Sequence, residues 1–104
     1  MALSSINHVT ICVSNIEQAV NWYQESFSCE LIKYEPTIAV LEFANMKLVL
    51  SLPSLERPHV AFDKANADSF GELKEMKDGS LGTYIADPTG NIVELVQGRA
   101  SKTV

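Results

Sequence analysis

The sequence contains few cysteines and no long apolar run. Its two cysteines, Cys12 and Cys29, are 17 residues apart, which is outside CxxC and zinc-ribbon spacing and predicts two reduced thiols. No apolar run approaches the roughly 18 residues that a membrane-spanning helix needs. The opening segment, MALSSINHVT, lacks the basic stretch, apolar core and cleavage site of a secretory signal. We therefore expect a water-soluble, cytoplasmic protein without a membrane partner.

Basic residues are also scarce. Eight Lys and Arg against thirteen Asp and Glu give a formal net charge of −5, and the basic residues are scattered along the chain. A phosphate backbone is repelled by such a surface, so we expect no nucleic-acid partner. At 104 residues the chain is long enough for one hydrophobic core.

The first half of the chain predicts a strand, a helix and three further strands. The segment INHVTICV alternates with a period of two, so that His8 faces away from the more apolar side. Ser14 and Glu17 have the spacing of a capping box, and apolar residues follow at helical intervals, which predicts a helix from about 15 to 27. The runs CELIKYE, TIAVLEF and MKLVLSL then predict three strands, completing the order βαβββ.

The second half repeats this order in a shorter form. It opens with HVAFDK, has a helical pattern around ADSFGELKEM, and ends with LGTYIAD, the turn DPTGN and the strand NIVELVQ. HVTI at 8 and HVAF at 59 are 51 residues apart, whereas LVLSL at 48 and IVELV at 92 are 44 apart. A duplicated module with one shortened copy, by about seven residues, explains both offsets.

These offsets define the expected organisation of the chain. We expect one domain over 1–104, with a first module at about 1–52, a connection at 53–57, a second module at about 58–98 and a tail at 99–104. Only KDGSLG separates the predicted helix ending near Met76 from the strand near Tyr84. The second module should therefore lack its second strand or reduce it to a turn.

Three polar residues in otherwise apolar strands are the candidate site. His8 and His59 are the only histidines, and each lies early in the first strand of its half. A single strand histidine is more often an ordinary hydrogen-bonded residue, but two at repeat-related positions favour a shared role. Glu94 lies within the apolar strand NIVELVQ, where its charge needs compensation by a metal ion, by a basic side chain or by solvent.

Two imidazoles and one carboxylate form a ligand set for one divalent first-row metal. Such a set leaves coordination positions open for water or substrate. Manganese, iron, nickel and zinc all accept these donors, so the sequence leaves the identity of the metal open. His8, His59 and Glu94 are thus the predicted metal ligands.

The segments INHVTICVSNIEQAVNWYQESF, HVAF and YIADPTGNIVEL together resemble the vicinal oxygen chelate superfamily over nearly the whole chain. This superfamily includes glyoxalases, bleomycin-resistance proteins, fosfomycin-resistance proteins and extradiol dioxygenases. The resemblance implies an α+β fold in which paired βαβββ modules form a cup-shaped mixed sheet, with the second module shortened. His8, His59 and Glu94 fall on the matching ligand positions. The resemblance also implies a homodimer, in which His8 of one chain meets His59 and Glu94 of its partner.

The ligand sets of individual superfamily members match the residues of this chain to different degrees. Glyoxalase I relatives use a fourth ligand, a carboxylate on the last strand of the first module, where this chain has Val49 or Leu50. Glu42, on the preceding strand, is the nearby acidic residue, and a solvent-facing role is more typical of it. Extradiol dioxygenases need a further histidine, which this chain does not contain.

Fosfomycin-modifying thiol transferases match the ligand count. Thr10 matches their threonine beside the epoxide and Tyr84 matches a substrate-side tyrosine, so the resemblance makes these two residues catalytic candidates. A plain structural role is the more typical one for Thr10, a strand residue of high β-propensity. Tyr84 either lines the cup or only packs there. The cation-binding loop of these relatives and a basic residue beyond their final strand have no counterpart in KDGSLGTY or QGRASKTV.

The sequence thus predicts a metal-dependent enzyme in which a divalent ion acts as a Lewis acid on a small, oxygen-chelating ligand. A lyase, an isomerase and a thiol transferase all remain open, and Glu42 and Cys12 are the available candidates for a general base. The alternative is a non-catalytic, drug-sequestering protein that resembles the bleomycin-resistance proteins.

Overall fold

The computed structural model describes residues 3–76 and 79–99 of the chain. Within this part of the chain, the regular elements are one α-helix, one short 3-10 helix and eight strands. They follow the order β1 (Ile6–Cys12), α1 (Ile16–Ser26), β2 (Glu30–Tyr34), β3 (Ile38–Glu42), β4 (Lys47–Ser51), β5 (His59–Asp63), the 3-10 helix (Ala67–Ser69), β6 (Lys74–Glu75), β7 (Ser80–Ala86) and β8 (Ile92–Arg99). The mixed composition confirms the predicted α+β class.

The chain divides into two compact units. The N-terminal unit is His8–Pro58, and the C-terminal unit combines Met1–Asn7 with His59–Val104. In the N-terminal unit the strands lie in the order β2-β3-β4-β1, with β1 and β4 parallel and the other pairs antiparallel. In the C-terminal unit the order is β6-β7-β8-β5, with β5 and β8 parallel. The two units therefore repeat one strand order, and the C-terminal unit has the 3-10 helix in the place of α1.

The second copy is the shorter one, but the missing residues lie elsewhere than predicted. The helix expected over ADSFGELKEM is wrong, because only Ala67–Ser69 is helical and Lys74–Glu75 forms β6. At Gly71, just after this short helix, a Cβ would lie 2.8 Å from the Thr83 hydroxyl oxygen, so the chain passes too close to β7 for a side chain there. The second strand, predicted to be absent or reduced to a turn after Met76, is instead present before Met76 as a two-residue strand paired with β7. Residues 77–78 of the expected gap lie outside the described residues.

Helix α1 packs on one face of the N-terminal unit's sheet. Its buried residues Ile16 and Val20 form a cluster with Ala39, Leu41 and Leu50. The last three are completely buried. Burial of this apolar surface at about 25 cal/mol per Å² is the main source of the unit's stability.

The start of α1 differs from the predicted capping box. Asn15, rather than Ser14, caps the helix, and its side-chain oxygen accepts a hydrogen bond of 2.8 Å from the Gln18 backbone N–H. Asparagine has extended backbone geometry here and satisfies a helix N–H that would otherwise lack a partner. The predicted extent of about 15 to 27 is otherwise confirmed by the observed Ile16–Ser26.

The opposite face of this sheet carries His8. A second apolar cluster of Ile38, Val40 and Val49 occupies that face, and Leu55 packs against it. Strand alternation places His8 and Thr10 on this side, because Ile11 packs with the helix cluster. We call this surface, defined by His8, Thr10, Val40, Lys47 and Val49, the His8 face.

Candidate metal centre

The C-terminal unit brings two of the predicted ligands into direct contact. His59 begins β5, and Glu94 lies on the adjacent parallel strand β8 in register with Ala61. The His59 Nε2 atom is 2.8 Å from the Glu94 Oε1 atom. Their side chains are only 2% and 3% exposed. An imidazole and a carboxylate that are buried this completely must compensate each other or a third group.

Tyr84 lies beside this pair. It occupies β7 directly opposite Glu94 in the antiparallel register. Its ring centroid is 5.4 Å from that of His59, with an angle of 86° between the two ring planes. Tyr84 remains 41% exposed, so the ring contacts His59 edge-to-face and is also accessible from outside. The residue can therefore hold the imidazole orientation and still contact a ligand.

The turn DPTGN fixes the register that places Glu94 opposite Tyr84. The Asp87 Oδ1 atom accepts hydrogen bonds from the backbone N–H groups of Thr89 (3.0 Å) and Asn91 (2.8 Å). The Asn91 side-chain amide donates to Asp87 Oδ2 at 2.8 Å. These bonds, the Asn91 side-chain bond first, lower the pKa of Asp87 below its usual range. Gly90 supplies the positive φ of +96° that the turn requires.

The N-terminal unit contains the other two candidates. His8 and Thr10 are only 5% and 1% exposed. The Thr10 hydroxyl is the buried side-chain oxygen for which no hydrogen-bond partner is found among residues 3–76 and 79–99. An unpaired buried hydroxyl costs about 1–3 kcal/mol, and a bound ligand can remove that cost.

The structure also gives the positions of the residues considered for a fourth ligand and for a general base. Val49 pairs with Thr10 and lies on the His8 face, whereas Leu50 lies on the helix side. Val49 is therefore the hydrocarbon residue at the place expected for a fourth ligand. Glu42 is exposed at the end of β3. The Cys12 thiol donates to the Glu56 carbonyl oxygen at 3.2 Å.

Sequence analysis missed Lys47. This residue opens β4 and pairs in register with His8. Its charge at the start of the apolar run KLVLSL was the available signal, but its relation to His8 depends on strand register. Only a parallel pairing of β1 with β4 brings the two residues side by side.

Residues 5–69, more than half of the chain, match the family model of the glyoxalase/bleomycin resistance protein/dioxygenase superfamily. The chain belongs to this superfamily. It is 27% identical over 120 aligned positions to the metallothiol transferase FosB of Shouchella clausii (strain KSM-K16), covering 92% of this chain and 82% of that protein.

Solved structures show the same fold. A hypothetical protein, BH1468, from Bacillus halodurans C-125 matches with a TM-score of 0.73 and 15% identity over 99% of this chain and 100% of that chain. A structure described as an NAD-dependent benzaldehyde dehydrogenase from Legionella pneumophila matches with a TM-score of 0.65 and 16% identity over 86% and 96% of the two chains. At these identities the likeness concerns the fold alone. Among the described residues, no helix has the length and apolar character to cross a membrane.

Proposed function

We propose that His8, His59 and Glu94 bind one divalent first-row metal ion and that the protein is a metal-dependent enzyme acting on a small oxygen-chelating molecule. The 2.8 Å contact between His59 and Glu94, buried within an apolar sheet, carries this proposal. The three residues offer two ring nitrogens and a carboxylate oxygen. These donors suit manganese, iron, nickel and zinc.

The buried pair offers both donor types that a divalent first-row cation takes, a carboxylate oxygen and an imidazole nitrogen. A carboxylate within an apolar sheet carries a negative charge that a cation stabilises. A dication compensates that charge and uses the imidazole nitrogen as a second ligand. His8 is the proposed third ligand, because it lies on the first strand of the N-terminal unit as His59 lies on β5, and it is similarly buried.

The surrounding side chains indicate how a substrate would be held. A divalent ion at this site supplies Lewis-acid chemistry toward adjacent substrate oxygens. The Thr10 hydroxyl has an unused hydrogen-bonding capacity, and Tyr84 offers a partly exposed ring beside His59. Because Val49 cannot act as a ligand, the proposed site leaves coordination positions to the substrate. The name of the FosB relative, a metallothiol transferase, favours thiol transfer within a class that also includes lyases and isomerases.

A non-catalytic binding protein is the alternative function. Its support is the composition of the His8 face, where Val49 replaces a carboxylate that would serve as ligand or base. Ligand binding with no dependence on metal would favour this alternative over the enzyme.

Metal analysis tests the proposal directly. Untagged wild-type protein titrated with manganese, iron, nickel or zinc is expected to bind about one ion per chain, since three donors make one site. His59→Ala should lose this binding, whereas Glu42→Gln, which changes an exposed carboxylate, should retain it. A wild-type protein that binds none of the four metals would refute the metal-dependent enzyme.

The proposed homodimer has its own test. We propose, on the family relationship, that each site takes His8 from one subunit and His59 and Glu94 from the other. His8→Ala and Glu94→Ala proteins should each bind no metal, and mixed dimers of the two should regain about one intact site in every two. Absence of any regained site in verified mixed dimers would show that each site is built within one chain.

A further inference from the structure

Lys47 is the basic residue of the His8 face and lies on β4 between His8 on β1 and Glu42 on β3. It pairs in parallel register with His8, while Val49, two residues further along β4, pairs with Thr10. Paired residues point to the same side of a sheet, so all four side chains share this face. Lys47 is partly buried, and Val40 and Val49 on the same face are 4% and 5% exposed.

No carboxylate of residues 3–76 and 79–99 lies within ion-pair distance of the Lys47 ammonium group. Glu42 lies directly opposite Lys47 on β3, where an ion pair would be expected on an ordinary sheet surface. Within the described residues, however, no ion pair forms between the two. Lys33 of the same unit, by contrast, reaches Glu35 at 3.7 Å. Lys47 therefore keeps its positive charge available.

The Thr10 hydroxyl adds an independent indication of a ligand on this face. It is 1% exposed and has no hydrogen-bond partner in the described part of the chain. A threonine hydroxyl can donate one hydrogen bond, and a lysine ammonium can donate three. An oxygen that carries negative charge is the acceptor that an ammonium donor attracts most strongly, so a ligand oxyanion would satisfy these two donors best. Apolar neighbours such as Val49 lower the local dielectric constant and strengthen that attraction.

We propose that Lys47 and Thr10 form a subsite for an oxyanion, so that the small molecule bound by this protein carries a carboxylate, phosphate or phosphonate group. This inference rests on the proposed function, because the subsite lies beside His8 and would orient a metal-chelating substrate. The net charge of −5 disfavours the approach of anions in general. A local cation is therefore required to select them.

Binding of inorganic phosphate to metal-free and manganese-loaded protein, measured by calorimetry at constant ionic strength, tests the subsite. Lys47→Met retains the length of the side chain and removes its charge, and it should weaken phosphate binding about 10- to 100-fold, as expected for loss of a charge-assisted hydrogen bond. Thr10→Val should weaken it about 10-fold. Lys74→Met, at an exposed site on β6, changes the net charge equally and should leave phosphate affinity unchanged.

The results of the phosphate and manganese measurements test the oxyanion subsite and the metal site independently. Phosphate binding that depends on Lys47 in a protein that binds none of manganese, iron, nickel and zinc would support the subsite and refute the proposed function. Manganese binding together with unchanged phosphate affinity in Lys47→Met would refute the subsite alone. A wild-type protein that binds no phosphate at millimolar concentration, in either form, would also refute it. Equal weakening by Lys47→Met and Lys74→Met would indicate general charge attraction and would overturn the assignment.

Discussion

Glu94→Gln is expected to weaken manganese binding by about 100-fold or more, because an uncharged amide is a much poorer ligand than a carboxylate for a divalent ion. The substitution preserves the size of the side chain and its ability to hydrogen-bond to His59, which lies 2.8 Å from it. The fold should therefore persist while the metal affinity falls. Manganese affinity is measured by competition with a chelator, and thermal unfolding of the metal-free proteins shows whether the structure is retained.

Glu42→Gln is the matched control for this experiment. It makes the same chemical change at an exposed position of β3, so metal affinity should remain within about twofold of wild type, since an exposed charge interacts weakly through water. Unchanged metal affinity in Glu94→Gln would mean that the buried histidine and glutamate form a structural pair. In that case the stability of the metal-free protein, rather than its metal affinity, would respond to the substitution.

Leu41→Ala is expected to lower the free energy of unfolding by about 2–5 kcal/mol, because it leaves a cavity where the side chain is completely buried. Leu41 packs in the cluster that joins α1 to the sheet of the N-terminal unit. For a domain of this size, each kcal/mol corresponds to a fall in Tm of roughly 4–8 °C. Chemical denaturation followed by circular dichroism measures the change.

Leu3→Ala removes the same atoms from a residue that is 92% exposed, so the free energy of unfolding should change by less than about 0.5 kcal/mol. A loss of similar size in both variants would contradict the assignment of the helix cluster as the core.

The first half of the chain could be predicted closely because its local patterns agree with its tertiary contacts. Alternation in INHVTICV and the helical spacing after Asn15 each predict an element that the structure contains. The prediction for the second half was wrong where a local helical pattern competed with tertiary packing. At Gly71 the chain approaches Thr83 too closely for a side chain, and such a long-range contact leaves no periodic signal in the sequence.

Prediction of the candidate site was limited in the same way, because contacts between distant segments leave no local pattern. Its chemistry-bearing residues could be named from rarity and repeat position, and the contact of His59 with Glu94 agrees with their common assignment. Lys47 could not be assigned to the site, because its place beside His8 depends on the parallel register of β1 and β4. The sequence gives the type of each residue directly. The residue that lies opposite it on a parallel strand depends on how segments distant in the sequence align.

The hydrogen-bonded turn DPTGN, which begins at Asp87, bears on how this protein should respond to acid. Because its hydrogen bonds hold the Asp87 pKa below the usual range, their contribution to stability is present at neutral pH and is lost only as the pH falls through that lowered pKa. The alignment of β7 with β8 should therefore survive mild acid. Loss of bound metal in mild acid would thus report a change at the ligands themselves, with the scaffold around Glu94 still in place.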